Sequence, residues 1–140
     1  MRAKKGSNKY QVTSHKLNKK TSKDSSLVTR HSLLVIHGTV KGRRIPSRIL
    51  EEQIQHAVQE GARELHITAD GQHGIGGRIW PRGEKVKITV EGPVGQRLGS
   101  MGMSGTEIVV KGSVSDDVGW INCGAKITVL GDATNGAWNA

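Results

Sequence analysis

The sequence predicts a mostly β protein, a right-handed single-stranded parallel β-helix of about three rungs, and a repeat over residues 85–140 is the main evidence. Each repeat holds one short apolar strand that closes on a glycine: Gly92, Gly112 and Gly131. These glycines lie 20 and 19 residues apart. A fixed period of about 20 residues, with one strand in each, is typical of a solenoid. We therefore interpret the repeat as stacked turns of one coil.

Side chains at equal distances from these glycines are alike, which supports the stacking. Two places before them stand Val90, Val110 and Val129, and four places before them stand Ile88, Ile108 and Ile127. Because alternate residues of a strand share a face, both columns are predicted to line the interior. Five places before them, on the opposite face, stand Lys87, Glu107 and Lys126, whose alternating charge favours this register.

Further columns follow each glycine. Two places after the glycines stand Val94, Val114 and Ala133, and six places after them stand Leu98, Val118 and Ala137. Nine places after them stand Met101, Ile121 and Ala140. Four places after them, Gln96, Asp116 and Asn135 predict a polar ladder. Gly99 and Gly119 are expected at a second corner, because such sharp turns often need the positive φ that glycine adopts freely.

A strand–helix–strand unit is predicted ahead of the repeat. Residues 32–38 form the first strand, and Pro46 is expected at the first helical position, where its missing N–H costs nothing. The buried stripe of the helix is predicted to be Leu50, Ile54, Ala57 and Val58, while Glu51, Glu52, Gln55 and Gln59 face away from it. Gly61 is expected to end the helix. In the second strand, the residues expected to point inward are Leu65, Ile67 and Ala69. The two strands are expected to pair in parallel. Residues 71–77 are expected to form a flexible loop leading into the solenoid.

The basic charge of the chain is concentrated in residues 1–30, which hold nine lysine or arginine residues and one acidic residue, Asp24. Residues 31–140 carry a formal charge of only +1 and are predicted to be one domain. The basic tail has almost nothing apolar to bury and is expected to be disordered in isolation. Three interpretations of it stay open: a solvated leader, an arm for nucleic acid or an acidic partner, and an organelle transit peptide. No apolar run has transmembrane length, so we expect a cytoplasmic protein without a membrane partner.

No catalytic, cofactor-binding or metal-binding residues are predicted. The glycine-rich stretches 71–77 and 99–105 lack the Gly-Lys-Ser/Thr of a P-loop or a following helix, and turn formation explains them better. The six histidines show no metal spacing, and His37 and His66 are predicted to face outward.

The remaining reactive side chains are also expected to be structural. Cys123 is the only cysteine, which excludes an intrachain disulfide, and it is predicted to be a small buried filler. Asp116 and Asp117 are adjacent and should diverge, so they fit a polar ladder better than a paired carboxylate site.

One unit of the repeat consists of Val90-Glu91-Gly92 followed by Gly99, Gly102 and Gly105. A second unit starts at Val110-Lys111-Gly112 and a third at Gly131. This pattern of glycines resembles the GXGXG domain. The stretch from Val58 to Leu65 is similar to the lead-in of stand-alone members. This family comprises the C-terminal β-helix of the glutamate synthase large subunit, one of the subunits of formylmethanofuran dehydrogenase, and small prokaryotic proteins. The resemblance covers residues 33–140 and implies a non-catalytic buttress beside amidotransferase and FMN-binding domains.

The expected function is therefore that of a structural or assembly module of a glutamate-synthase-like oxidoreductase, without catalytic residues of its own. Its expected partner is an amidotransferase or FMN-binding subunit. Family members continue through further rungs, whereas this sequence stops at Ala140 within its third turn. We expect either a truncated product or an open end covered by another chain, including a second copy. Binding of nucleic acid or an acidic partner through the basic tail is the alternative, and a free-standing enzyme is the least supported interpretation.

Overall fold

The computed structural model describes residues 33–134, which form a parallel β-solenoid with one helix. The elements are β1 (Leu33–His37), β2 (Thr39–Val40), β3 (Arg43–Arg44), α1 (Ser47–Gln59), β4 (Glu64–Thr68), β5 (Val86–Glu91), β6 (Thr106–Lys111) and β7 (Lys126–Val129). Five of the strands make one parallel sheet in the order β1-β4-β5-β6-β7, while β2 and β3 pair as a short antiparallel hairpin. The predicted mostly β fold of stacked coils is confirmed. The basic tail and the column members Asn135, Ala137 and Ala140 lie outside the described residues.

The strand register confirms both predicted interior columns. Ile88 pairs with Ile108, which pairs with Ile127, and the valine column runs in the same way from Val90 to Val129. Both columns continue backward into β4 through Leu65 and Ile67, and into β1 through Leu34 and Ile36. Within β4, β5 and β6 their side chains are fully buried. The charged column is confirmed and is one residue longer than predicted: Glu64, Lys87, Glu107, Lys126.

The solenoid begins one coil earlier than the sequence predicts. Residues 71–77 are not a flexible loop leading into it; they form the turning part of a first coil, stacked on the next one. Gly95 N–H donates to Gln72 O (2.9 Å), and Gly99 N–H donates to Ile75 O (2.8 Å). Both Gln72 and Ile75 are fully buried. Coils therefore begin at β4, β5 and β6, and β7 begins a further one.

Two features of the first coil conceal it in the sequence. Its strand precedes the next by 23 residues (Glu64 to Lys87), compared with 20 between β5 and β6. At the same offset, Ala69 stands where the next coil has Gly92. A search for closing glycines at a constant period therefore passes over it.

Helix α1 lies along the first coil and covers the end of the solenoid. Leu50, Ile54, Ala57 and Val58 are buried, as predicted. On the side predicted to face away, Glu51 and Gln55 are half-buried instead, because they bind the first coil: Arg78 Nη2 lies 2.9 Å from Glu51 Oε2, and Gln55 Nε2 donates to Gly77 O (3.3 Å). A solenoid cap requires an apolar side against the core and a polar side toward solvent, and the buried stripe of α1 together with exposed residues such as Glu52 and Gln59 meets this requirement.

The ends of α1 follow the prediction with one correction. Pro46 is the N-cap (φ −58°, ψ 146°) rather than the first helical residue, and its carbonyl accepts from Leu50 N–H (3.1 Å). Gly61 (φ +106°) ends the helix as predicted. Its N–H donates to Val58 O (3.0 Å), and Ala62 N–H donates to Ala57 O (2.9 Å), the hydrogen-bond pattern of a Schellman motif.

The closing glycines are needed for space more than for φ. Only Gly92 has a positive φ (+100°), whereas Gly112 and Gly131 do not. A Cβ on Gly112 would lie 2.5 Å from the carbonyl oxygen of Gly92, and one on Gly131 would collide with the carbonyl oxygen of Gly112. The second corner does use positive φ, as predicted, at Gly99 (+66°) and Gly119 (+69°).

Candidate binding face

The described histidines hold structural hydrogen bonds and ion pairs. His37 Nδ1 lies 3.0 Å from Thr68 Oγ1, and His66 Nε2 lies 3.2 Å from Glu91 Oε2, both on the outer side of the sheet, as predicted. His73 Nδ1 accepts a hydrogen bond from Gln96 N–H (2.8 Å) and so links the first coil to the second. Residues 33–134 contain no group of three or more His, Cys, Asp or Glu side chains arranged to hold a metal. His15 and His31 lie outside this range.

The two aspartates diverge, as predicted, while the prediction for the cysteine is wrong. Asp116 Oδ1 accepts a hydrogen bond from Thr134 Oγ1 (2.5 Å), whereas Asp117 Oδ2 lies 4.0 Å from Arg97 Nε. Cys123 is exposed rather than a buried filler. It follows the second corner, where its coil runs along the surface of the solenoid, and its thiol contacts Ile121 O (3.5 Å).

The glycine-rich stretches make turns, as predicted, and up to residue 134 no helix follows either of them. Residues 71–77 lead toward β5, and residues 99–105 lead into β6. Their backbones stack coil on coil: Gly74 N–H donates to Gln96 O (2.9 Å), and Cys123 N–H donates to Gly102 O (2.7 Å). These amide groups are therefore used by the solenoid itself.

Exposed apolar side chains gather on one lateral side of the solenoid, where each coil runs from its second corner to the next strand. We name this surface the Trp–Met face, and it comprises the exposed Trp80, Met101, Trp120, Ile121 and Cys123 together with the half-buried Met103. The coils are held in step here, since Met101 N–H donates to Trp120 O (2.9 Å) and Met103 forms a parallel bridge with Cys123. The first coil precedes the second by 23 residues (Glu64 pairs with Lys87), and by the same offset Trp80 corresponds to Met103.

The predicted column of Met101 and Ile121 is present, but it points outward. Met101 is 37% exposed and Ile121 is 44% exposed. Both have left-handed backbones, with φ of +54° and +53°, and Arg78 at the same place in the first coil has φ +52°. Six large hydrophobic side chains are exposed among the described residues, and four of them, Trp80, Met101, Trp120 and Ile121, lie on this face.

Arginines lie at the edge of the Trp–Met face. The Arg97 guanidinium carbon lies 4.9 Å from the centre of the Trp120 ring, a cation–π contact. Beside Trp80, a groove of about 510 Å³ separates α1 from residues 78–82, and it is lined by Arg48, Glu52, Arg78 and Arg82 among others. Trp80 belongs to both surfaces and is the most exposed large hydrophobic residue described, at 67%.

Sequence reasoning did not predict this face. A visible signal was the placement of two of the three tryptophans of an aromatic-poor chain in turn segments. Another was Met101-Gly102-Met103, which places two large apolar residues within one short glycine-rich turn segment.

Comparison of the chain with protein-family models, with curated proteins and with solved structures finds no match. Among residues 33–134, no helix is both long enough and apolar enough to cross a lipid bilayer.

Proposed function

We propose that this chain is a non-catalytic structural module that assembles with another protein. The observation that carries the proposal is the Trp–Met face, an exposed apolar surface built on a coil whose interior columns are already filled. Large exposed apolar patches on soluble proteins commonly mark interaction sites. Four large hydrophobic side chains, each at least 37% exposed, lie together on this face.

We further propose that the assembly is a glutamate-synthase-like oxidoreductase, in which the partner is an amidotransferase or FMN-binding subunit. The resemblance of the repeat to the GXGXG domain supports this proposal, and so does the agreement of the observed coil with the fold that the resemblance implies. In such an assembly the chemistry belongs to the partner, and this module positions it. We place the assembly in the cytoplasm.

Purification of the tagged full-length chain from its native cells tests the proposal. We expect an amidotransferase or FMN-binding subunit to co-purify in a fixed ratio and to stay bound through size-exclusion chromatography. Recovery of the chain as a monomer without either subunit would contradict the assignment.

Binding of nucleic acid or another acidic partner through the basic tail is the second candidate, favoured by the charge of +8 in residues 1–30. Deletion of these residues should then abolish nucleic-acid binding together with its steep dependence on salt concentration. Unchanged binding by the deletion variant would exclude the tail.

A further inference from the structure

We propose that the Trp–Met face is the docking surface for a protein partner whose contacting surface combines apolar side chains with carboxylates. The inference deepens the proposed function, on which it rests, because it names the surface and the chemistry of the assembly. It also moves the expected contact from the end of the coil to its side.

The residue types of the face are those of an interface core. Tryptophan, methionine and arginine are enriched in such cores, whereas lysine and the acidic residues are depleted. The face has two tryptophans, two methionines and an isoleucine, with Arg78, Arg82 and Arg97 at its edge. Its backbone is held by hydrogen bonds between coils, including Met101 N–H to Trp120 O (2.9 Å). A backbone already held in this way loses little further conformational freedom on binding.

The backbone at Met101 and Ile121 gives independent support. A left-handed conformation disfavours side chains with a Cβ, most of all a β-branched one such as isoleucine. Glycine or asparagine would fit these exposed positions with less strain. Strain that stability does not require tends to concentrate at functional sites. The left-handed φ itself belongs to the corner, because Arg78 has it at the same place in the first coil (+52°). What a contact explains is the choice of apolar residues for this conformation at Met101 (+54°) and Ile121 (+53°).

The charges select the kind of partner. The Arg78 side chain is 58% exposed while its own carboxylate partner, Glu51, is only 17% exposed. Arg97 is likewise more exposed than Asp117, at 55% against 35%. In both pairs the cation lies nearer to solvent, so the edge of the face presents guanidinium groups outward. Such groups bind carboxylates with good geometry.

Other occupants fit this surface less well. A single-stranded nucleic acid stacks successive bases on several free aromatic planes. Only Trp80 offers such a plane here, because Arg97 covers one side of Trp120 and methionine and isoleucine have no ring. The basic tail of the same chain and a second copy of the face both bring further positive charge, which like-charge repulsion disfavours. A partner with carboxylates around an apolar patch meets both requirements.

Cys123 makes the proposal directly testable, because it is the only cysteine in the sequence and it is exposed on the face. A benzophenone maleimide attached to Cys123 of the full-length chain would be photoactivated in native-cell extract, and the products would be mapped by mass spectrometry. We expect cross-links to one other polypeptide, at a segment that contains both apolar and acidic residues. The mapped polypeptide would then be purified for affinity measurements.

Three variants separate docking from folding. Ile121→Asn removes an apolar side chain and suits the left-handed backbone, and Arg82→Glu reverses an exposed charge at the edge of the face. Leu130→Ser is the matched control, since Leu130 is 65% exposed but lies outside the face. We expect Ile121→Asn and Arg82→Glu each to weaken binding of the purified polypeptide about tenfold or more, the effect typical of hot-spot residues. The control should bind like the wild type, and all three should keep the wild-type melting temperature within a few degrees.

Each other outcome overturns one specific proposal. Cross-links only to nucleic acid, only to further copies of this chain, or to nothing would exclude the docking face as proposed, as would full binding by both face variants. If an FMN-binding or amidotransferase protein is co-purified but does not cross-link to Cys123, the face is wrong and the proposed function stands. If the cross-linked polypeptide is neither of these but binds through the face, the glutamate-synthase assignment fails and the face stands.

Discussion

Replacement of Val110 by aspartate should unfold the protein, whereas the same replacement at Val109 should not. Val110 is fully buried in the middle of its interior column, between Val90 and Val129. Val109 is its neighbour on the opposite, half-buried side of the sheet, paired with Thr89 and Thr128. The pair is a matched comparison, because the substitution and the strand are the same and only the direction of the side chain differs.

The magnitude follows from burial. Loss of the valine forfeits about 1.5–3 kcal/mol of apolar transfer free energy. An aspartate at this site has no cationic partner on the neighbouring columns, and burial of an unsatisfied polar group adds roughly 1–3 kcal/mol even after protonation. The total of about 2.5–6 kcal/mol reaches the lower end of the whole stability of a small domain, about 5–15 kcal/mol.

Urea titration followed by far-ultraviolet circular dichroism would measure both variants. We expect no cooperative transition for Val110→Asp, or a midpoint far below that of the wild type. Val109→Asp should keep a cooperative transition with a similar slope. A wild-type midpoint for Val110→Asp would refute the buried column.

Three further predictions concern single contacts in the coil, and each is checked by urea or thermal denaturation. Gly112→Ala should lower the free energy of unfolding by more than about 1 kcal/mol, because the new Cβ would lie 2.5 Å from Gly92 O and a backbone atom moves aside less easily than a side chain. Wild-type stability of this variant would show that the coils separate easily. Thr106→Val should stabilise the protein by about 1 kcal/mol, because the buried Thr106 hydroxyl has no hydrogen-bond partner in the described structure; a clear loss would mean that the hydroxyl is satisfied. Gln72→Leu should destabilise by about 2 kcal/mol or more, because Gln72 Nε2 donates to Gly38 O (2.8 Å) and Ile45 O (3.0 Å); an unchanged midpoint would rule out a role for these bonds.

The interior of the coil was predictable because it repeats. Residues such as Ile88 and Ile108 recur at one period and with one hydrophobicity, so their stacking can be inferred without coordinates. The first coil was missed because its period differs by three residues and Ala69 replaces a closing glycine. Gln72 also concealed it, since a glutamine is not expected in a core, and only the fold supplies the two carbonyl groups that make its burial favourable.

The tryptophans in turn segments were a signal of the candidate face, but the directions of its side chains were not predictable from the sequence. The spacing of the repeat predicts the column of Met101 and Ile121, but the direction of its side chains depends on φ. A methionine or an isoleucine gives no sign in the sequence that its backbone is left-handed. The burial predicted for Cys123 failed for a related reason. Small apolar residues near a turn glycine are often inside, and only the path of the backbone after the second corner places this thiol outside.

The structure separates the residues that stabilise the coil from those proposed to bind. In a solenoid each coil is stabilised by its contacts with its neighbours, and here these contacts are the interior columns and the hydrogen bonds between coils. Trp80 and Ile121 lie outside those columns, so stability alone does not require them to be large and apolar. Substitution in the column, as in Val110→Asp, should therefore abolish fold and binding together. Substitution on the face, as in Ile121→Asn, should weaken binding and leave the fold intact.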